Sequence, residues 1–292
     1  MSAPRSRTRV TIRRARPDDA PACGRICYDA FQKISAEHNF PPDIPSPERA
    51  VALLTRLFSN PSYFCVVAEQ DGRLVGSNCM DERSPIAGIG PITIDPTVQN
   101  GGAGRALMSA VLERVRGLGS PGVRLVQAAF HNRSLSLYTK LGFDPREPLS
   151  CMQGPSLKKR IDGCLVRPAL GSDLEACNRV CLRVHGHDRG RDLSEAIGEG
   201  TALVVERGGQ ITGYTTALAF FGHSVADSNL DLQALIASAD SFGGPGILVP
   251  TRNATLFRWC LENGLRVVQP MTLMSMGLYG EPAGAWLPSI LF

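Results

Sequence analysis

Several features are missing from this sequence, and each absence removes a class of protein. No apolar run reaches the roughly 20 residues that a membrane-spanning helix needs, so no membrane partner is expected. The nine cysteines are odd in number and contain no Cys-x-x-Cys pair. That argues against a disulfide framework and for reduced thiols in a cytoplasmic protein. Lys and Arg total 31 against 27 Asp and Glu, and the net charge of +4 is scattered without a basic stripe. Nucleic acid is therefore not an expected partner, although the small excess suits an anionic ligand. The first residues, Met-Ser-Ala-Pro-Arg-Ser-Arg-Thr-Arg, are basic but lead into no apolar segment, so residues 1–8 read as a disordered lead.

What is present centres on Gln99 to Met108, Gln-Asn-Gly-Gly-Ala-Gly-Arg-Ala-Leu-Met. Before it, Ile86 to Asp95 is apolar and punctuated by Gly88, Gly90 and Pro91. After it, Leu107, Val111, Leu112, Val115 and Leu118 recur at helical spacing. The reading is strand, glycine-rich turn, helix, with the helix starting near Gly102. The glycines keep side chains off the backbone, and the free N–H groups of Gly102 to Arg105 at a helix N-terminus suit a pyrophosphate. A kinase-type phosphate loop would end in Lys-Ser or Lys-Thr, where Arg105-Ala106 stands. A dinucleotide turn would read Gly-x-Gly-x-x-Gly with an acid about 20 positions on, and the nearest following acid, Glu113, falls inside the helix.

The pattern Gln99-x-x-Gly102-x-Gly104 resembles the coenzyme A pyrophosphate loop of the GNAT acetyltransferase superfamily. Asn132 to Phe143, Asn-Arg-Ser-Leu-Ser-Leu-Tyr-Thr-Lys-Leu-Gly-Phe, resembles that superfamily's Asn…Leu-Tyr-x-x-x-Gly-Phe segment. The resemblance implies an α/β fold and acetyl transfer from acetyl-coenzyme A to a primary amine of a small molecule, by direct attack and without a metal. It implies coenzyme contacts from Gln99, Asn100, Gly101, Gly102, Ala103, Gly104 and Arg105, and backbone donors for the oxyanion on the fourth strand at Ile92, Thr93 and Ile94. Tyr138 takes the position of the acid that protonates the leaving thiolate; its other reading is a core aromatic. Asn132 precedes Tyr138 by six residues, one fewer than the family spacing, so His131 or Asn132 takes the coenzyme-facing place. Candidates for the base are Glu69, Asp81, Glu82 and Asp95, with a water chain as the alternative. A monomer or homodimer is expected. The competing class is a non-catalytic acyl-coenzyme A sensor or scaffold.

At 292 residues with 43% apolar content, the chain suits two domains of about 150 residues. Strands are expected at Val10 to Arg14, at Phe64 to Glu69 and Leu74 to Met80 around an Asp71-Gly72 turn, and at Val123 to Phe130. Pro145 to Gly154 should carry the remaining strands of the first domain. The loop Asn39 to Pro47 and the following helix should roof the acceptor site. The charged joint Leu157 to Arg160 is the expected boundary, giving domains over 9–157 and 162–292.

The second half repeats the first. At an offset of 154, Ile12, Arg13, Ala15, Asp19, Ala22, Cys23, Arg25 and Cys27 meet Val166, Arg167, Ala169, Asp173, Ala176, Cys177, Arg179 and Cys181. At 137, Val67, Glu69, Gly72 and Gly76 meet Val204, Glu206, Gly209 and Gly213; at 122, Leu141 to Phe143 meet Asn263 to Leu265. The fold class is therefore two tandem GNAT-like domains, each a mostly antiparallel twisted sheet flanked by helices. The fall from 154 to 137 implies that the second copy has lost most of the proline loop and roof helix. The loop of the second copy maps onto Asp227 to Leu232, whose acids would repel a pyrophosphate, and Tyr138 maps onto Cys260, so the second copy reads as degenerate. Cys23 with Cys27, and Cys177 with Cys181, read as apolar helix faces, and His185, His187 and Asp188 as a polar loop, rather than as metal ligands. Trp286 to Phe292 are too apolar to leave in water and must pack somewhere: on the second domain itself, at a dimer contact, or in the groove between domains.

Overall fold

Asp71 and Gly72 have φ of 53° and 74°, the two left-handed positions that a two-residue type I′ turn requires. They close a hairpin of β2 (Tyr63–Gln70) on β3 (Arg73–Asp81). The computed structural model describes residues 10–99 and 101–292, so the expected lead over 1–8 and the candidate Asn100 lie outside the described residues. The chain is an α/β protein that divides into two compact units. One comprises Met1–Glu82 and Ile89–Ser120, the other Arg83–Gly88 and Pro121–Phe292.

In the first unit β1 (Val10–Arg14) pairs antiparallel with β2, and β4 (Ile86–Ile94) follows β3 in the order β1-β2-β3-β4. Residues Pro17–Asp19 form one short 3-10 turn that leads into α1 (Ala20–Glu37). Cys23 and Cys27 lie on its wholly buried face. The helix α2 (Pro47–Ser59) starts on a cap in which Ser46 Oγ accepts from the Arg49 N–H, with Pro47 in the first turn. The long helix α3 (Ala103–Leu118) buries Leu107, Met108, Val111, Leu112 and Val115 and stops at Gly119, which is left-handed.

The second unit contains β5 (Gly122–Ala128), α4 (Asn132–Lys140), β6 (Asp144–Gln153), β7 (Cys164–Pro168), α5 (Leu174–His185), α6 (Gly190–Gly198), β8 (Leu203–Arg207), β9 (Gln210–Thr215), β10 (Ser224–Ala226), α7 (Asn229–Ala237), β11 (Ile247–Pro250), α8 (Ala254–Glu262), β12 (Arg266–Gly277) and β13 (Ala285–Leu287). Strands run in the order β5-β12-β6-β11 and, in a second sheet, β13-β10-β9-β8-β7. Between the two sheets Leu149, Leu248, Met271 and Leu273 share a core with Cys177, Val180 and Cys181 of α5 and Leu193 of α6. The helix α7 buries Leu232, Ala234, Leu235 and Ile236 and leaves Leu230 exposed.

The element order from β7 to β12 repeats that from β1 to β6. The turn of the second hairpin is Gly208-Gly209, again with both φ positive, and the register slip between Ala68 and Glu69 recurs between Val205 and Glu206. One expectation is corrected here: the roof helix of the second half is not lost. It persists as α6, and the shortening is spread over α5, the loop before α6 and α6 itself.

A second correction concerns Pro145 to Gly154, which supplies one strand rather than several. The partners of that strand are β12 and β11 from the second half of the sequence. Met271–Gly277 also pair with Gly122–Ala128 of β5, so β12 takes the edges of both β5 and β6. An unpaired strand edge is satisfied by whichever strand reaches it, and here that strand comes from the other half. Compact units and sequence repeats are consequently different partitions of the chain.

Candidate active site

In the first unit β4 delivers the chain to the glycine-rich turn. Thr93 is buried on β4, and Ile92 and Ile94 are half-buried. The strand approaches β3 closely, since a Cβ on Gly76 would lie 2.5 Å from the Thr93 carbonyl oxygen. The chain then leaves the sheet through an Asx turn in which Asp95 accepts from the Thr97 N–H at 2.8 Å and from its hydroxyl at 2.7 Å.

Gly102 sits at φ 92° and ψ −7° as the residue capping α3, and its first helical bond is Ala106 N–H to Gly102 C=O at 3.0 Å. The capping residue Gly102 makes no side-chain cap bond, no acid occupies the first turn, and a Cβ on Gly102 would meet nothing within 4 Å. Gly101, Gly102 and Arg105 are exposed, Ala103 is buried, and Gln99 and Gly104 are half-buried. The N–H groups of a first helical turn have no partner within the helix. These residues consequently present backbone donors and the positive end of a 16-residue helix to solvent. That suits the pyrophosphate of coenzyme A, which Gly101 to Arg105 would hold.

In the second unit Tyr138 is 6% exposed on α4. Its ring meets Phe143 edge-on at 6.2 Å, and its hydroxyl is hydrogen-bonded to Ser134. Ser134 Oγ is in turn 2.8 Å from His131 Nδ1. Burial pushes the Tyr138 phenol up to about 12, against the opposing effect of the Ser134 bond. The group therefore keeps its proton through neutral pH, as an acid must before it donates. Asn132 begins α4 and is exposed.

The candidates for the base are mostly engaged elsewhere. Glu69 accepts from Arg13 Nε at 2.8 Å, Glu82 takes a two-pronged bond from Arg114 at 2.8 and 3.0 Å, and Asp95 is held by its turn. Asp81 is buried at the end of β3.

The second repeat closes the corresponding helix start. Ser228 caps α7, and Asp231, wholly buried, accepts from Arg207 Nε at 2.9 Å and Thr212 Oγ1 at 2.7 Å. This places a buried acid in the first turn of α7, which would repel a bound anion.

His185 and His187 do not form a solvated loop. His185 ends α5 with its ring 5.6 Å from Trp286 in an edge-on contact, and burial drives its imidazole well below the usual histidine range. Among the described residues no group of three or more His, Cys, Asp or Glu side chains is placed to hold a metal. None of the described helices is long and apolar enough to cross a membrane. The apolar segment 285–292 packs within the second unit. There β13 pairs with β10, and the Ile290 N–H donates to the Phe220 carbonyl at 2.8 Å.

Residues 28–143 match the model of the acetyltransferase (GNAT) family. A 65-residue stretch is 40% identical to the mycothiol acetyltransferase of Nocardia farcinica, spanning 22% of this chain and 22% of that relative. Among solved structures, a candidate acetyltransferase of Pyrococcus horikoshii matches 97% of this chain and 92% of its own at 20% identity, with a TM-score of 0.72. A tandem GNAT protein from the clavulanic acid biosynthesis pathway matches 92% of this chain and 98% of its own at 13% identity, with a TM-score of 0.54. These two likenesses show the fold, which is that of tandem GNAT domains.

Proposed function

We propose that this protein transfers an acetyl group from acetyl-coenzyme A to a primary amine of a small molecule. The observation that supports the reading is the start of α3, an exposed helix N-terminus capped by a left-handed glycine, with no acid in its first turn. Bound acetyl-coenzyme A would supply the activated acetyl group and a thiolate leaving group. Gly101 to Arg105, with Gln99, hold its pyrophosphate through backbone donors. Ile92, Thr93 and Ile94 supply main-chain N–H groups toward the acetyl oxygen, the role of an oxyanion hole. Tyr138 holds a proton at its phenolic oxygen for the departing sulfur, and His131 or Asn132 faces the coenzyme. The acceptor must reach the site as the free amine, because an ammonium has no lone pair with which to attack.

The repeats are assigned to 9–157 and 162–292, the second serving as support without coenzyme. The nine free cysteines of the whole chain suit a reducing, cytoplasmic setting. A sensor that binds acyl-coenzyme A without turnover is favoured by one observation, the Asp231 network at the start of α7. Thiol release from acetyl-coenzyme A against a panel of primary amines separates the two. Release with at least one amine supports the transferase, and coenzyme binding without release for every amine supports the sensor.

A further inference from the structure

Arg124 on β5 is 1% exposed, and its Nε and Nη1 have no hydrogen-bond partner. Its described neighbours are aromatic faces: its guanidinium carbon lies 4.1 Å from the Phe292 ring centroid and 5.0 Å from that of Tyr279. Around the same Phe292 ring lie a second buried guanidinium, Arg189 at 4.8 Å, and the stacked imidazole of His187 at 6.1 Å. Arg189 Nε, His187 Nε2 and the Tyr279 hydroxyl are likewise buried and unpaired. Unpaired donors from Arg124, Arg189 and Tyr279 therefore gather at one place in the second unit, beside the His187 ring. Neither the sequence reading nor the transferase mechanism uses them.

Among the described ion pairs none involves Arg124. Asp192 is shared by Arg189 at 2.9 Å, Arg83 at 2.9 Å and His223 at 3.0 Å, while Glu195 takes Arg83 at 2.7 Å. Two carboxylates thus answer Arg83 and Arg189. The acids nearest Tyr279, Glu147 and Glu281, are both held by Arg252. None of these acids pairs with Arg124. A buried guanidinium with no acid partner is costly to a fold, whereas its free N–H groups can donate to a carboxylate.

We propose that the second unit contains a binding site for a small monocarboxylate, held by Arg124 and completed by Arg189 and Tyr279 around the Phe292 ring. Burial and the two arginines hold the His187 imidazole down to about 4, so it is neutral at pH 7; its Nδ1–H donates to the His185 carbonyl at 3.1 Å, and it adds no charge to the site. A planar carboxylate between two aromatic faces fits this place better than tetrahedral phosphate, about half of which is dianionic at pH 7. The rings of Phe292 and Tyr279 provide an apolar wall for the body of the acid. His187 and Tyr279 are themselves half-exposed, on the side that meets solvent. This site is independent of the transferase reading, because it is defined by binding alone.

Thermal unfolding of the full chain is to be measured at fixed ionic strength with sodium acetate, sodium benzoate, sodium chloride or sodium phosphate. The carboxylates should raise Tm by several degrees in a saturable way, and chloride and phosphate should not. In Arg124→Met the unliganded Tm should equal or exceed the parent's, with the carboxylate response lost. In Arg124→Lys, which keeps the charge but not the fork, carboxylate affinity should fall at least tenfold. The absence of a saturable response in the parent overturns the proposal, as does a response unchanged in the Lys variant or an equal response to phosphate. If the Met variant does not fold, the parent and the Lys variant still decide.

Discussion

Arg13 grips Asp19 with both terminal guanidinium nitrogens, at 2.7 and 2.9 Å, while its Nε reaches Glu69 at 2.8 Å. At an offset of 154 residues Arg167 grips Asp173 at 2.6 and 3.0 Å, and its Nε reaches Glu206 at 2.8 Å. The carboxylate also accepts a backbone N–H in both copies, from Arg16 at 2.7 Å and Leu170 at 2.8 Å. The triad ties the first strand of each repeat to the start of its first helix and to the strand alongside. That accounts for Glu69 structurally and removes it as a base.

Asp173→Asn should destabilise the protein by about 1–3 kcal/mol, the range for losing one partner of a charged, half-buried hydrogen-bond set. The Arg167 guanidinium beside Asp173 holds its carboxyl below the ordinary value. The contribution is therefore complete above about pH 4 and is lost as pH falls from there toward the lowered folded value. Urea unfolding of parent and variant should converge on acidification; a constant difference would show that the pair works by shape alone.

Gly102→Val should abolish coenzyme A binding in calorimetry, because a branched side chain then stands where the ligand must approach the backbone. The space at Gly102 is open but its φ is 92°, so the variant should also lose about 1–2 kcal/mol of stability from the left-handed backbone alone. Unchanged affinity would move the pyrophosphate elsewhere.

Tyr138→Phe should lower kcat roughly 100-fold while leaving coenzyme A affinity nearly unchanged, the pattern of a proton donor used only in the transition state. The ring contact with Phe143 survives the substitution, so the stability loss should stay near 1 kcal/mol, the worth of the Ser134 hydrogen bond. Parental turnover would make Tyr138 a core aromatic.

Acid should weaken the fold earlier than the carboxylates require. Burial holds His223 down to about 4, against the pull of Asp192, and holds His185 well below its usual range. The folded state thus binds fewer protons than the unfolded chain, whose histidines titrate near 6.5. Stability is complete above about pH 6.5 and declines as pH falls toward 4, by up to about 1.4 kcal/mol per pH unit for each fully buried imidazole. A Tm flat across that window would mean these rings are protonated in the fold.

Gly88→Ala tests the seat of the apolar segment 285–292. An added Cβ would collide with the Leu291 carbonyl oxygen and lie 3.1 Å from its carbon. Loss of about 1–3 kcal/mol is expected from such overpacking, read as a lower Tm. No loss would show that the segment sits elsewhere in solution.

Local signals were enough for much of this protein. The paired φ-positive turns, the glycine start of α3, the periodic face of that helix and the repeat carrying Arg13, Asp19 and Glu69 all follow from residues within a few positions of one another, or from direct comparison of the two halves. Each depends on backbone angles or on spacing along one element, which the sequence encodes directly. Tertiary structure alone decided that β12 rather than a local hairpin partner enters between β5 and β6. Any strand of suitable length can satisfy an open edge, and which one arrives depends on the path of more than a hundred intervening residues. It also decided that Arg124, an ordinary charged position in an alternating strand, is buried between Phe292 and Tyr279. Burial depends on what packs over a face, and the segments that cover Arg124 come from the far end of the sequence.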